Sequence, residues 1–215
     1  MSLEKVMAAF LWGSSEIGPM WQWISWGELC WPPEAGGVEF RSIAEVYDAL
    51  SIKLWWNFRQ QRSLWAQFLS AKYCKGVHPC LAEEVSSQSY TWRRLRSVQD
   101  LAEEHIGWVL GEGSMDFWHD NWMGTGALCH RVDIFHEHRM ADLVFQAQWN
   151  WRLLNQILAP ELVRQVVQVS PPASRGADRV VWALTADGPF SVASTYSAVT
   201  KSATCSWVAS QVWLK

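Results

Sequence analysis

The stretch from Trp108 to Trp122, WVLGEGSMDFWHDNW, sets Gly111 and Gly113 in a G-x-G pair and places His119 beside Asp120. Glycines in such a pair can cradle a phosphate when a third glycine, a lysine and a helix N-terminus follow, and a His-Asp pair can begin a metal site. Here the third glycine and the lysine are missing. Ile106, Trp108 and Leu110 alternate before GEGS, and Met115 and Phe117 resume the alternation after it. That pattern predicts a β-hairpin over about 106–118, with no helix N-terminus to aim at an anion. The two glycines are then explained by a turn that needs positive φ, and Asp120 by a cap or hydrogen bond to the chain beyond it.

Other candidate chemistry is sparse. His130, His136 and His138 in HRVDIFHEH form a loose cluster, but zinc needs three or four convergent ligands, and a solvated loop or helix face is the simpler reading. Cys74, His78 and Cys80 in CKGVHPC match no common structural zinc spacing and read as buried thiols beside a turn. There is no G-x-S-x-G and no H-E-x-x-H. Asp116 and Asp120 are a close acidic pair, and two-metal phosphoryl chemistry needs more carboxylates than these. The residues assemble no catalytic set, and call for no metal and no cofactor.

The best phosphate-contacting candidates are Arg93, Arg94 and Arg96, with Trp92 among them and Lys72 and Lys75 upstream. An ordinary solvated helix face competes with that reading, because the whole chain carries a formal charge of −3. Seventeen tryptophans stand against four tyrosines, so either the core is very aromatic or rings are presented to a partner for stacking. Five scattered cysteines without C-x-x-C spacing fit a reducing, intracellular compartment, nucleus or cytoplasm. The N-terminus does not read as a secretory signal, and no apolar run reaches the length of a membrane span.

The elements that would position these residues are mainly helical. Ile43, Val46, Tyr47, Leu50 and Leu54 share a helix face behind a Ser42 cap. A second helix begins near Ser63, carries Leu64, Phe68 and Leu69, and ends at Gly76 and Pro79, giving a helical hairpin. Trp92, Leu95, Val98 and Leu101 space a third. Residues 149–169 read as two short helices divided at Pro160, and 179–193 as a second β-hairpin turning at ADGP, with Ser194 free to cap a terminal helix. The expected fold class is α+β, mainly α: helical hairpins with two small β-hairpins. Both ends run through apolar, periodic sequence, which predicts a segment of something longer.

Six ordered stretches then carry a family likeness: FLWG with Trp12 and Gly13; ISWGELCWPPEAGGVEFRS with Trp26, Gly36 and Gly37; LWAQFLSAKY with Trp65 and Tyr73; SYTWRRL with Trp92; the Trp108–Trp122 stretch with Gly111, Gly113, Phe117, Trp118 and Asp120; and DGPFSVASTYSAV with Phe190, Ser191 and Tyr196. Together they resemble the region after the polymerase palm in plant LINE-type (non-LTR) retrotransposon reverse transcriptases, a family often labelled ribonuclease H proteins. One departure is Glu39, where relatives usually have a glycine after GGV. The resemblance implies a thumb-like and connecting region over 1–80, a Trp-rich region over 81–170, and over 171–215 the start of a truncated zinc-binding-like region. It implies a segment without catalytic residues, and a partner that is RNA or an RNA/DNA hybrid in the full element. A protein-interaction module without nucleic-acid binding is one alternative. A carbohydrate-binding module is another, and it requires Trp118 and Trp122 to be exposed and coplanar, whereas the hairpin reading buries at least one.

Overall fold

A computed structural model describes residues 3–15, 18–19, 24–31, 33, 36–84, 87–132, 138–172 and 176–200. They form two compact units, one within Met1–Leu50 with Tyr196–Lys215, the other Ser51–Thr195. As expected, the class is α+β and mainly α, with short two-stranded antiparallel sheets.

In the first unit, helix α1 (Leu3–Trp12) stops at Gly13, whose φ of 79° lies in the left-handed region. Ser14–Ser15 (β1) and Gly18–Pro19 (β2) then pair antiparallel. Ser25 and Glu28 make a reciprocal capping box on the short helix α2 (Trp26–Leu29). Gly37 passes so close to the Trp31 carbonyl that a side chain would collide with backbone, which accounts for one glycine of the GGV signature. Phe40 follows and tilts against Trp26 at 5.7 Å. Between them Glu39 sits at φ 58°, with its N–H bonded to the Trp31 carbonyl at 3.0 Å. A left-handed residue with a Cβ costs about 1 kcal/mol or more, which is the physical reason a glycine suits this position. Glu39→Gly is therefore expected to stabilise the protein by about 0.5–1 kcal/mol in urea unfolding, and a loss of stability would contradict it.

Helix α3 (Ile43–Arg59) begins at Ser42, whose hydroxyl accepts the Glu45 N–H at 3.4 Å, as its spacing predicts. Its buried face is not the anticipated one. Leu50 is exposed, and Ile52, Trp55, Trp56 and Phe58 are buried instead. Three aromatic rings remove more area from water than the leucine and tyrosine positions would, so they decide which way the helix faces.

In the second unit, α4 (Leu64–Leu69) is capped by Ser63 and runs into a π-helical turn, Ser70–Cys74, that closes on left-handed Lys75. Of the apolar residues that mark this helix in the sequence, Leu64 and Phe68 are exposed and Leu69 is buried, with Ala66 and Tyr73. Helices α5 (Tyr90–Ser97) and α6 (Gln99–Glu103) follow, separated at Val98.

The expected first hairpin is overturned. Strand β3 (Ile106–Val109) pairs antiparallel with Arg179–Trp182, in the register Ile106↔Trp182 to Val109↔Arg179. The segment after the glycine loop turns elsewhere: Ala141 N–H bonds to the Gly113 carbonyl, Met140 N–H to that of Met115, and Phe117 N–H to that of His138. Two very short strands, β4 (Val144–Phe145) and β5 (Gln148–Trp149), lead into α7 (Trp151–Ile157), capped by Asn150, and α8 (Pro160–Val166), with Pro160 at its first turn as anticipated.

Among the described residues Arg179–Trp182 is the last strand, β6. A turn does follow it, since Trp182 N–H bonds to the Gly188 carbonyl at 2.7 Å. The expected return strand is absent, however, because residues 192–200 are helical (α9). Its cap is Ser191, which accepts the Ser194 N–H at 3.3 Å, and not Ser194, whose hydroxyl accepts from the Trp182 indole at 3.0 Å. In the first unit's part of α9, Tyr196 lies under Arg41 at 5.7 Å. The Trp-rich core gathers Phe117, Trp118, Trp122, Leu128, Met140, Leu143 and Trp149 with the inner faces of α7 and α8.

Candidate nucleic-acid interface

Helix α5 starts where Ser89 accepts the Trp92 N–H at 3.2 Å, and Trp92 and Leu95 turn inward. The three arginines fan outward from that buried edge and part company. Arg93 is exposed. Arg94 Nε donates to Ser51 Oγ on α3 at 2.7 Å. Arg96 donates to the Pro79 carbonyl at 3.3 Å and to the Gln99 side chain. Arg93 and Arg96 share a groove of about 790 Å³ with Glu84, Gln88, Ser97, Gln99 and Asp100, so acids temper its charge, and Arg94 does not line it.

Of the two lysines, Lys72 is held beside rings, its Nζ 5.1 Å from the centre of Tyr73 and 5.8 Å from that of Phe68. Tyr73 stacks on Trp92 at 4.7 Å and 10°, and its hydroxyl accepts the Ser89 N–H at 3.1 Å. That contact, with the Lys72 ammonium, holds the phenol below its usual range. Lys75 is exposed at φ 50°. The structure thus ties Lys72 to the base of α5 through Tyr73 and Trp92, and turns Arg94 and Arg96 to packing.

The aromatic signature divides between core and surface. Trp118 and Trp122 are 1% and 5% exposed, and the Trp122 indole donates to the Phe117 carbonyl at 2.9 Å. Sugar stacking on these two rings is thereby excluded. Trp65 lies at 36% exposure, and Trp108 and Phe190 are half-buried.

A buried charge cluster was not foreseen. Arg59, at the end of α3, meets Glu103 at 2.8 Å and also pairs with Asp120. His78 Nε2 lies 3.1 Å from Asp120, while its Nδ1 accepts the Cys80 N–H at 3.3 Å. Asp120 further accepts the Asp116 N–H at 2.9 Å, and Glu103 accepts the Trp55 indole at 2.7 Å. His78 stacks on His119 at 5.2 Å, and His119 Nδ1 is 2.8 Å from Asp116. Burial works against ionising Asp120, but the Arg59 charge and His78 outweigh it and bring the carboxyl down to about 2. Burial likewise works against the Arg59 charge, and Glu103 and Asp120 overcome it. Burial pushes the Cys80 thiol well up, so it stays neutral and is a poor nucleophile. The cluster is a tie between four chain segments. The one sequence signal for it is Arg59 itself, which continues the buried stripe Ile52, Trp55, Trp56 and so demands carboxylate partners.

The glycine loop does hold an anion, without any helix. Asp178 Oδ1 accepts the N–H groups of Gly111 at 2.7 Å and Gly113 at 3.1 Å. Its Oδ2 accepts the Ser114 N–H at 2.5 Å, the Ser114 hydroxyl at 2.8 Å and the Met115 N–H at 3.1 Å. Converging backbone N–H groups of this kind form an anion nest. Burial works against ionisation of Asp178, and the Gly111 and Ser114 donors reverse it, so its carboxyl lies below the usual range. A Cβ on Gly111 would fall 2.7 Å from the Ala177 carbonyl carbon, so closeness of the partner segment requires that glycine, and a φ of 79° in the left-handed region requires Gly113.

Among the described residues no group of three His, Cys, Asp or Glu side chains is arranged to hold a metal, and no helix is long and apolar enough to cross a membrane. His136 lies outside the described residues, as does the stretch 201–215 of the expected zinc-binding-like region.

No family model and no solved structure matches the chain. The sequence is 27% identical to an Arabidopsis thaliana protein named "Putative ribonuclease H protein". The similarity covers 92% of this chain and 34% of that protein, so the chain spans about a third of the relative's length and is similar to that third along nearly all of its own.

Proposed function

We propose that this chain is a non-catalytic segment of a retrotransposon reverse-transcriptase polyprotein, lying after the polymerase palm, that helps hold the RNA template and nascent DNA inside the cell. The observation that carries the reading is the similarity over 92% of the chain to a protein named for ribonuclease H, an activity directed at nucleic acid. The six ordered motifs supply the finer assignment to the LINE-type region. The local geometry is compatible with holding, because Asp120 and Asp178 are each committed to internal donors and Lys72, Lys75 and Arg93 present charge at the surface.

Arg94 and Arg96 pack within the fold, so the useful test spares them. Lys72→Ala/Lys75→Ala/Arg93→Ala is expected to weaken binding of a single-stranded RNA by about tenfold or more at low salt. It should also flatten the slope of log affinity against log salt by up to about 2, at roughly 0.7 per lost phosphate contact. Unchanged affinity and slope in a folded variant would remove this surface from the interface. A wild-type chain that binds RNA at neither salt concentration would favour the interaction-module alternative.

A further inference from the structure

A second groove, of about 460 Å³, is lined by Trp108, Phe190, Arg62 and Arg179 and by none of the expected patch residues. We propose that it seats a nucleotide of single-stranded nucleic acid, with the base against Trp108 and Phe190 and the phosphate between Arg62 and Arg179. This rests on the reading that the chain binds nucleic acid, but names a site apart from the arginines of α5: Trp108 and Phe190 fall within family motifs, and Arg62 and Arg179 do not.

The rings are prepared for the role. Phe190 is packed at 4.9 Å from Trp182 and 5.7 Å from Trp56, and the Arg59 guanidinium lies 5.3 Å over Trp108. Both rings are therefore fixed from within while remaining half-buried at the surface. A ring already immobilised loses little entropy when a base stacks on it.

The charges divide into spent and available. Arg59 also lines the groove, but Glu103 and Asp120 neutralise it, and the Asp178 carboxylate is enclosed by the nest. Arg62 and Arg179 are exposed and make no side-chain hydrogen bond or ion pair to a described residue. Asp187 is the opposing charge on the rim. Two arginines beside anchored aromatics suit a phosphate and a base, since the guanidinium fork matches phosphate oxygens and any base offers a π-face. The volume falls within the roughly 300–1,000 Å³ usual for ligand sites.

The full chain is titrated into a fluorescein-labelled oligouridylate at two salt concentrations, with Arg62→Ala/Arg179→Ala, Asp187→Asn and the Lys72/Lys75/Arg93 triple-alanine variant alongside. Arg62→Ala/Arg179→Ala is expected to lose about tenfold in affinity and to flatten the salt slope by about 1.4. Asp187→Asn is expected to tighten binding severalfold, and photocrosslinking with 5-iodouridine to attach at Trp108 or Phe190. Unchanged affinity in the double variant, or crosslinks mapped only elsewhere, would overturn the groove while leaving the proposed function standing. Displacement of the RNA by polyglutamate at equal charge would show that the groove reads charge alone and overturn the nucleotide assignment. Absence of RNA binding in every form would overturn both.

Discussion

Asp120→Ala is expected to destabilise the protein by about 3–5 kcal/mol, enough to unfold much of the population if total stability is near the roughly 5–15 kcal/mol usual for a domain. The alanine leaves Arg59, at 6% exposure, with Glu103 alone, and deprives His78 and the Asp116 N–H of their acceptor. Arg59, His78 and Asp120 are all buried, so the cost is that of an incompletely compensated buried charge and orphaned donors. Arg59→Met should be costly for the mirror-image reason, stranding Asp120 beside Glu103. The double variant Arg59→Met/Asp120→Leu should recover part of the sum, because the two residues interact directly and their effects do not add. Urea midpoints for the four proteins give the coupling energy, and strict additivity would contradict a direct tie.

The same pair fixes a pH dependence. Asp120 titrates near 3.8 when unfolded and at about 2 when folded. Between those values the unfolded chain takes up a proton that the folded chain refuses. The contribution, on the order of 2 kcal/mol, is therefore complete above about pH 4 and lost as the pH falls towards 2. Asp120→Ala should flatten the stability profile in that window, and an unchanged profile would show that Asp120 is not depressed by its partners.

What the sequence discloses is what is decided nearby. The Ser42 and Ser63 caps and the Pro160 helix start depend on residues within one turn, and each stands where spacing or chemistry places a helix end. The 106–118 hairpin fails because alternation marks a strand without naming its partner. Val109 pairs with Arg179, seventy positions away, since loop 111–115 wraps a carboxylate and cannot fold back as a turn. The candidate site divides the same way. Arginines on α5 are legible by type, but the commitment of Arg94 to Ser51 and Arg96 to Pro79 follows from helices brought together by the core. Arg59, His78, Glu103 and Asp120 come from four separate segments and share no local pattern, so only folding assembles them.

Asp178→Ala is expected to cost about 2–4 kcal/mol, because four backbone N–H groups and the Ser114 hydroxyl lose one shared acceptor. The carboxylate is the clasp by which the segment before β6 grips the loop after β3, so its removal should loosen the two-stranded sheet at the Val109↔Arg179 end first. Hydrogen exchange at Gly111, Gly113, Ser114 and Met115 is expected to rise well beyond that at Ile106 and Gly107. Asp178→Asn keeps one oxygen and loses the charge, and should fall between the two. The folded pKa is depressed, so this stabilisation too is present above the ordinary carboxylate range and lost as the pH falls below it. The nest itself should survive in Asp178→Gly as a vacant set of donors, and inorganic phosphate or sulfate should then restore stability to that variant while leaving the wild type unmoved. Equal stabilisation of both proteins by the anion would show a general salt effect and leave the glycine loop with no more than a turn's role.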